Sequence, residues 1–132
     1  MRFFDAHCDT IGKIWEGNAD FITGVITGDG PYGVPGLGGS GDPGAKLHVT
    51  LPGLRAAGVR AQVFASWVWS AAYPGREFEV GMGKVETVRT LCADHPDDLF
   101  LATTGAQIAE ACRTAGRKLP DALTARRWNL HC

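Results

Sequence analysis

The chain has 132 residues, of which 45% are hydrophobic and 20% are charged, and its formal net charge at neutral pH is -1. This length suits a single domain, and this composition is typical of globular proteins. The near-zero charge offers no overall attraction to nucleic acid or to an anionic membrane. Because the sequence also contains no signal-peptide pattern and no apolar run of about 18 residues, we expect a cytoplasmic protein with a small-molecule partner.

Apolar periodicity and turn residues predict alternating strands and helices. In chain order the expected elements are a buried strand at 2–6, a helix at 10–16, a Gly-rich loop at 17–46, a helix within 48–58, a strand at 59–69, a helix at 77–95, a strand within 98–104 and a helix within 105–116. Parallel strands need crossover connections, so this alternation predicts a parallel sheet covered by helices. The expected fold class is α/β.

Local signals mark where two of these helices begin and end. Thr10 precedes the first helix and is expected to cap it, and Thr50 does the same for the second. Pro52 fits the first turn of the second helix, where a backbone N–H has no helical partner to lose. Gly58 is expected to end that helix, because glycine readily adopts the left-handed conformation.

The segment 17–46 differs from the rest of the chain in composition. Ten of the 18 glycines and three of the seven prolines lie between residues 17 and 44. A long irregular loop is the structure that this composition favours. Such loops are usually binding or lid segments, or else they are disordered, and the sequence leaves both interpretations open.

The sequence "DAHCDT" places His7 and Asp9 two residues apart where the first predicted strand ends. Side chains at this spacing on a strand point to the same face, so the two can reach one common point while Cys8 turns away. An imidazole nitrogen and a carboxylate oxygen are suitable ligands for zinc or a similar divalent ion. In the alternative interpretation, His7 bonds to a loop and Asp9 begins the next helix.

Other polar and aromatic residues have interpretations of their own. Asp5 lies on the same strand face as His7 and is a candidate to orient its imidazole, as carboxylates often do for metal ligands. His95 is expected to end a helix, where its partial positive charge suits the helix dipole. Trp67 and Trp69 share one face of a predicted strand, and a packed-core or helix-facing position is favoured over substrate contact for both.

The four cysteines are far apart in the sequence and include no Cys-x-x-Cys pair. This spacing is not that of a disulfide-stabilised mini-protein, so we expect reduced thiols. A redox function for Cys8 is a weak alternative, because no second cysteine lies nearby and no neighbour is expected to lower its pKa.

Three blocks of sequence together resemble a known enzyme family. They are "FDAHCDTIGKIWEG", "LHVTLPGLRAAGVRAQVFASWVW" and "VETVRTLCADHPDDLFLATTGAQIAEACRTAGRK", and they span residues 3–118. In order and spacing they resemble the renal (membrane) dipeptidase family of metallopeptidases. The resemblance implies a (β/α)8 barrel of the TIM type with two zinc ions at its mouth, and hydrolysis of dipeptides or related small amides.

The same resemblance implies that His7 and Asp9 are the His-x-Asp ligands to one zinc ion. The family's later ligands, a bridging glutamate and two further histidines, and its acidic general base have no counterpart in this chain. Residues 119–132, "LPDALTARRWNLHC", contain no glutamate and show no strand pattern. We expect them to be an anomalous tail that arises from truncation or from a frameshift.

The sequence-based hypothesis is that residues 1–118 are the N-terminal portion of a zinc metallodipeptidase barrel. Since later metal ligands are missing, the isolated chain is expected to bind metal weakly and to have little or no activity. The alternative is a non-catalytic α/β fragment or binding module. An incomplete barrel would leave a sheet edge unpaired, so self-association is expected as well.

Overall fold

The computed structural model describes residues 3–17, 19–25 and 47–113, and the backbone of 121–126. In chain order its elements are β1 (Phe3–Cys8), α1 (Ile11–Trp15), α2 (Leu51–Ala57), β2 (Val59–Ala65), α3 (Glu77–Asp94), β3 (Leu99–Leu101), α4 (Gly105–Arg113) and β4 (Asp121–Arg126). The α/β prediction is therefore confirmed. Most of the predicted Gly-rich loop, residues 26–46, lies outside the described residues. None of the described helices is long and apolar enough to cross a bilayer.

The strands form one sheet in the order β1-β2-β4-β3, and every neighbouring pair is parallel. Strand β4 pairs with β2 from Ala61↔Ala122 to Ala65↔Arg126, and it pairs with β3 on its other side. The prediction that the tail shows no strand pattern is therefore wrong for 121–126. Its sequence, "DALTAR", has little strand propensity, but an inner position supplies hydrogen-bond partners on both sides and overrides that preference.

Helices cover both faces of the sheet. On one face, a core of buried side chains joins β1, β2 and β3 to α1, α2 and α3, and its members are Cys8, Ile11, Phe21, Leu51, Leu54, Phe64, Val88, Cys92 and Leu99. Ala61 lies three residues before Phe64 and so faces the other side, where it packs with Ala102 and with Ala111 of α4. The fully buried side chains of the first face are thus mostly large, whereas those of the second cluster are alanines, with Phe100, Ile108 and Cys112 packed around them.

The short helix α2 begins and ends at the predicted residues. The hydroxyl of Thr50 accepts a hydrogen bond from the Gly53 N–H at 3.1 Å, and Pro52 lies in the first turn. Gly58 ends the helix with a φ of 78°, in the left-handed region.

The predicted cap at Thr10 is wrong, although the helix that follows it is present. Thr10 has helical backbone angles, φ -54° and ψ -27°, and its side chain makes no capping hydrogen bond. Its carbonyl accepts from the Lys13 N–H at 3.1 Å, so the chain is already turning at this residue. A capping side chain needs the extended backbone that Thr50 has and Thr10 lacks.

Strand β1 is present, but the prediction that it is buried is wrong. Phe3 is 43% exposed and Phe4 is 45% exposed, and only Cys8 at the strand's end is buried. The strand lies at an edge of the sheet, so among the described strands it has a neighbour on one side only. Edge position rather than composition therefore decides its exposure.

Candidate functional site

The carboxyl ends of all the described strands lie at one edge of the sheet, because the strands are parallel. Cys8 of β1 pairs with Phe64 of β2, so the residues that follow these two strands emerge side by side. We call His7–Asp9 together with Ser66–Trp69 the carboxyl edge. In parallel α/β proteins, this is the edge where binding sites are usually built.

The side chains of His7 and Asp9 converge at the carboxyl edge. His7 Nε2 lies 3.2 Å from Asp9 Oδ2, and the side chains are 59% and 67% exposed. Two adjacent ligand atoms on a tetrahedral zinc ion, each about 2.0–2.2 Å from the metal, are separated by about 3.3 Å. The distance is compatible with two neighbouring positions around one zinc ion, and it is also that of a direct hydrogen bond between the imidazole and the carboxylate.

The pair supplies two ligands, and the described part of the chain supplies no third one nearby. No group of three or more histidine, cysteine, aspartate or glutamate side chains suited to a metal ion occurs among those residues. Zinc bound by His7 and Asp9 alone would take at least half of its ligands from solvent. Metal binding at this position stays a prediction.

Asp5 contacts the backbone of the candidate ligand. Its Oδ1 accepts a hydrogen bond from the His7 N–H at 3.2 Å, and its carbonyl accepts one from Gln62 Nε2 at 3.5 Å. The first bond lies within β1, and the second links β1 to β2. The predicted role of Asp5 as a partner of the imidazole ring stays a prediction.

Cys8 lies between the two candidate ligands in sequence but on the opposite face. It is 6% exposed and belongs to the core beneath the helices. Burial raises the pKa of its thiol, although a hydrogen bond from the Thr10 N–H to Sγ at 3.4 Å acts in the other direction. A buried, protonated thiol is a poor nucleophile, which argues against a redox function.

Trp67 and Trp69 are not core residues, so the prediction for them is wrong. They are 41% and 38% exposed. Strand β2 ends at Ala65, and the chain has left the sheet before it reaches either tryptophan. The alternation rule that assigned them to one strand face does not apply beyond the strand.

Sequence reasoning missed Lys84, a buried residue of α3 beside the carboxyl edge. Lys84 is 7% exposed, and its Nζ donates a hydrogen bond to the Trp67 carbonyl at 2.7 Å. Burial lowers the pKa of this ammonium group, while the carboxylates of Glu16 and Asp9 act to raise it. The sequence did contain a signal, since Lys84 takes the middle position of an i, i+4 stripe between Val80 and Val88.

The Lys84 ammonium also lies against α1. Its Nζ is 5.9 Å from the ring centroid of Trp15, within the range of a cation–π interaction. Trp15 in turn makes an edge-to-face contact with Tyr73, with centroids 6.0 Å apart. One buried charge thus connects α1, α3 and the residue two positions past the end of β2.

His95 lies far from the carboxyl edge. It directly follows α3, and its backbone N–H donates to the Leu91 carbonyl at 3.1 Å, as predicted for a residue at a helix end. The chain enters β3 four residues later, so His95 lies at the amino edge of the parallel sheet.

No protein-family model matches this chain, and no curated protein matches it either.

Proposed function

We propose that this chain is the N-terminal portion of a dipeptidase-type zinc hydrolase. The observation that carries the proposal is the convergence of His7 Nε2 and Asp9 Oδ2, 3.2 Å apart at the carboxyl end of β1. The residue types and their position agree with the His-x-Asp ligands that the sequence resemblance implies. A cytoplasmic location and a dipeptide or small amide substrate belong to the same proposal.

The arrangement of three strands supports an origin in a barrel. Strands β1, β2 and β4 are neighbours in the sheet and all are parallel, as neighbouring strands of a (β/α)8 barrel are, although β3 lies between β2 and β4 in the chain. Strand β3 has three residues and joins the outer side of β4. In this proposal β4 takes the place of the third barrel strand, after which the family carries its bridging glutamate.

The described residues would divide the chemistry as follows. His7 and Asp9 would hold zinc, and Asp5 would keep the His7 backbone in place through the hydrogen bond to its N–H. Zinc, when bound, supplies Lewis-acid polarisation of the substrate carbonyl and activation of water. With two protein ligands in the described chain, we expect weak affinity and little or no hydrolysis.

Zinc binding by variants tests the proposal directly. Isothermal titration of the purified chain should show weak zinc binding that is lost in both His7→Ala and Asp9→Ala. His95→Ala is the matched control, because it removes a histidine at the amino edge and should leave zinc uptake unchanged. Zinc binding that is equal in all of these variants would show that the pair is not a metal site.

A hydrolysis assay tests the second part of the proposal. We expect the zinc-loaded 132-residue chain to release little or no free amino acid from a dipeptide. Strong hydrolysis that a chelator abolishes would contradict the expectation that two ligands are insufficient.

One observation favours the second candidate function, a non-catalytic α/β binding module. Helix α4 packs on the Ala61 face of the sheet, opposite to α1, α2 and α3. In a closed barrel, helices lie on the outside and strand side chains fill the inside, so α4 would have to leave this face. A stable monomer that takes up no zinc through His7 would favour the module.

Self-association is also part of the proposal. Edge strand β1 exposes Phe3 and Phe4 beside backbone groups that no other described strand pairs, which is a common route to association. Light scattering across a range of protein concentrations should show a mass that rises with concentration. Phe4→Lys should reduce that rise, because a charge on an edge strand opposes strand pairing.

A further inference from the structure

Two hydrogen bonds fix the chain to α3 where it leaves β2. The Ser66 hydroxyl donates to the Gly81 carbonyl at 2.7 Å, and Lys84 Nζ donates to the Trp67 carbonyl, also at 2.7 Å. Both side chains are buried, with 3% and 7% exposure. The backbone at Trp67 is therefore held from the protein interior.

The bond from Lys84 has an unusual setting. A buried ammonium group is unfavourable unless it is hydrogen-bonded and compensated by charge. Here the Trp67 carbonyl, the face of the Trp15 ring and the negative charges of Glu16 and Asp9 supply that compensation. The Trp67 carbonyl is thus one of the groups that stabilise the buried Lys84 ammonium, and this hydrogen bond restrains the backbone at Trp67.

Trp67 nevertheless leaves 41% of its surface exposed. The exposed indole follows β2 at the same sheet edge where His7 and Asp9 follow β1, and these two strands are hydrogen-bonded neighbours. A large aromatic side chain on an anchored backbone, at the same sheet edge as a candidate metal pair, is suited to contact a ligand bound there. Aromatic rings that contact ligands contribute apolar area at little conformational cost.

We infer that Trp67 is a wall of the ligand site that contacts an apolar side chain of a bound dipeptide, and that Lys84 is its positioning residue. This inference rests on the proposed function, because the dipeptide is its ligand. It adds a substrate class, namely dipeptides with a large apolar or aromatic side chain. Contact between such a side chain and the indole should favour it over a glycine dipeptide by about tenfold.

The experiment uses two dipeptides as probes of the full chain. Glycyl-phenylalanine and glycylglycine share the same backbone and charges and differ by one benzyl group. NMR spectra of protein labelled at the tryptophan indole nitrogens report binding to each ring, with and without zinc. We expect glycyl-phenylalanine to shift the Trp67 signal and to bind about tenfold more tightly than glycylglycine, also in the zinc-free protein.

Four variants test the role of Trp67 separately from that of Lys84. Trp67→Ala should remove the preference for glycyl-phenylalanine, while Phe78→Ala, which removes an aromatic ring that is 63% exposed on α3, should keep it. Lys84→Met, which cannot donate to the Trp67 carbonyl, should reduce the preference and move the Trp67 signal. Lys84→Gln retains a donor and should restore much of the preference.

The outcomes distinguish this inference from the proposed function. Equal affinity for the two dipeptides, no measurable binding of either, or a preference that survives Trp67→Ala would overturn the inference. If His7→Ala abolishes zinc uptake but the protein does not prefer glycyl-phenylalanine to glycylglycine, the proposed metal site is supported and the proposed role of Trp67 is wrong. If the preference for glycyl-phenylalanine depends on Trp67 but zinc uptake does not depend on His7, the role of Trp67 in binding is supported and the dipeptidase proposal is wrong.

Discussion

The face of the sheet that packs against α1, α2 and α3, which we call the helix-covered face, differs from the carboxyl edge in how its side chains are held. On the helix-covered face, Phe64 and Val88 have no exposed surface, and Phe64 packs edge-to-face on Phe21 with ring centroids 5.5 Å apart. At the carboxyl edge, His7 and Asp9 are mostly exposed and contact each other. The first region supplies the apolar burial that stabilises the fold, and the second contributes little to it.

This difference indicates what each region is free to do. Exposed side chains that contribute little to the stability of the fold are candidates for binding, because packing does not account for their presence. His7 and Asp9 meet that description, and so does Trp67 on its buried anchor. The predictions below test whether stability and chemistry are separated in this way.

The largest expected effect is on the helix-covered face. Phe64→Ala should lower the free energy of unfolding by about 3–5 kcal/mol, because it removes a fully buried ring and leaves a cavity beside Phe21. Urea titration followed by circular dichroism measures this loss. Phe78→Ala, at a ring that is 63% exposed, should change stability by less than about 0.5 kcal/mol. Equal losses of stability in Phe64→Ala and Phe78→Ala would show that burial of Phe64 does not distinguish it from an exposed ring.

The next effect depends on pH. Burial raises the pKa of the Cys92 thiol from 9.0 to about 11. The unfolded chain then loses this proton at a lower pH than the folded chain, so stability falls as pH rises through that interval. The expected fall is about 2 kcal/mol. Urea titrations between pH 8 and pH 11 should show that the free energy of unfolding declines less in Cys92→Ala than in the unsubstituted chain. An equal decline in both proteins would show that Cys92 is not the group responsible.

A third effect comes from close packing between α1 and α3. A Cβ atom at Gly83 would lie 2.5 Å from Trp15 Nε1, so Gly83→Ala must displace the indole that contacts Lys84. We expect a net loss of about 1–2 kcal/mol despite the higher helix propensity of alanine. Gly105→Ala is the control, because its Cβ meets nothing within 4 Å. A thermal unfolding scan that ranks the Gly83 variant as the more stable one would exclude this packing.

The smallest effect is expected at the carboxyl edge. His7→Ala should change the free energy of unfolding by less than about 0.5 kcal/mol, since an exposed pair contributes little to folding. The same urea titrations measure it. A loss comparable to that of Phe64→Ala would mean that the pair is structural and that the two regions do not differ as described.

The sequence predicted the elements that carry local signals. Helix α2 is an example, because Thr50, Pro52 and Gly58 each act within a few residues of their own position. Helix α3 was predicted to within one residue at its end. The convergence of His7 and Asp9 was also predicted, although Asp9 lies one residue past the end of β1, where strand alternation does not by itself fix the direction of a side chain.

The rest depends on distant parts of the chain. Strand β4 forms because β2 and β3 lie on either side of it, and the sequence "DALTAR" itself has no pattern that predicts this pairing. The exposure of Phe3 and Phe4 reflects the edge position of β1 rather than their own apolarity. Lys84 was missed because the partner that makes its burial acceptable, the Trp67 carbonyl, is 17 residues away and belongs to a backbone.

The inner position of β4 has a consequence for synthesis on the ribosome. Within the described sheet, β3 is hydrogen-bonded to β4 alone, yet β4 is translated after it. A nascent chain that has emerged as far as α4 can therefore form the β1–β2 ladder while β3 still has no strand beside it. The arrival of β4 completes both remaining ladders at once, so half of the sheet forms in one late, cooperative step.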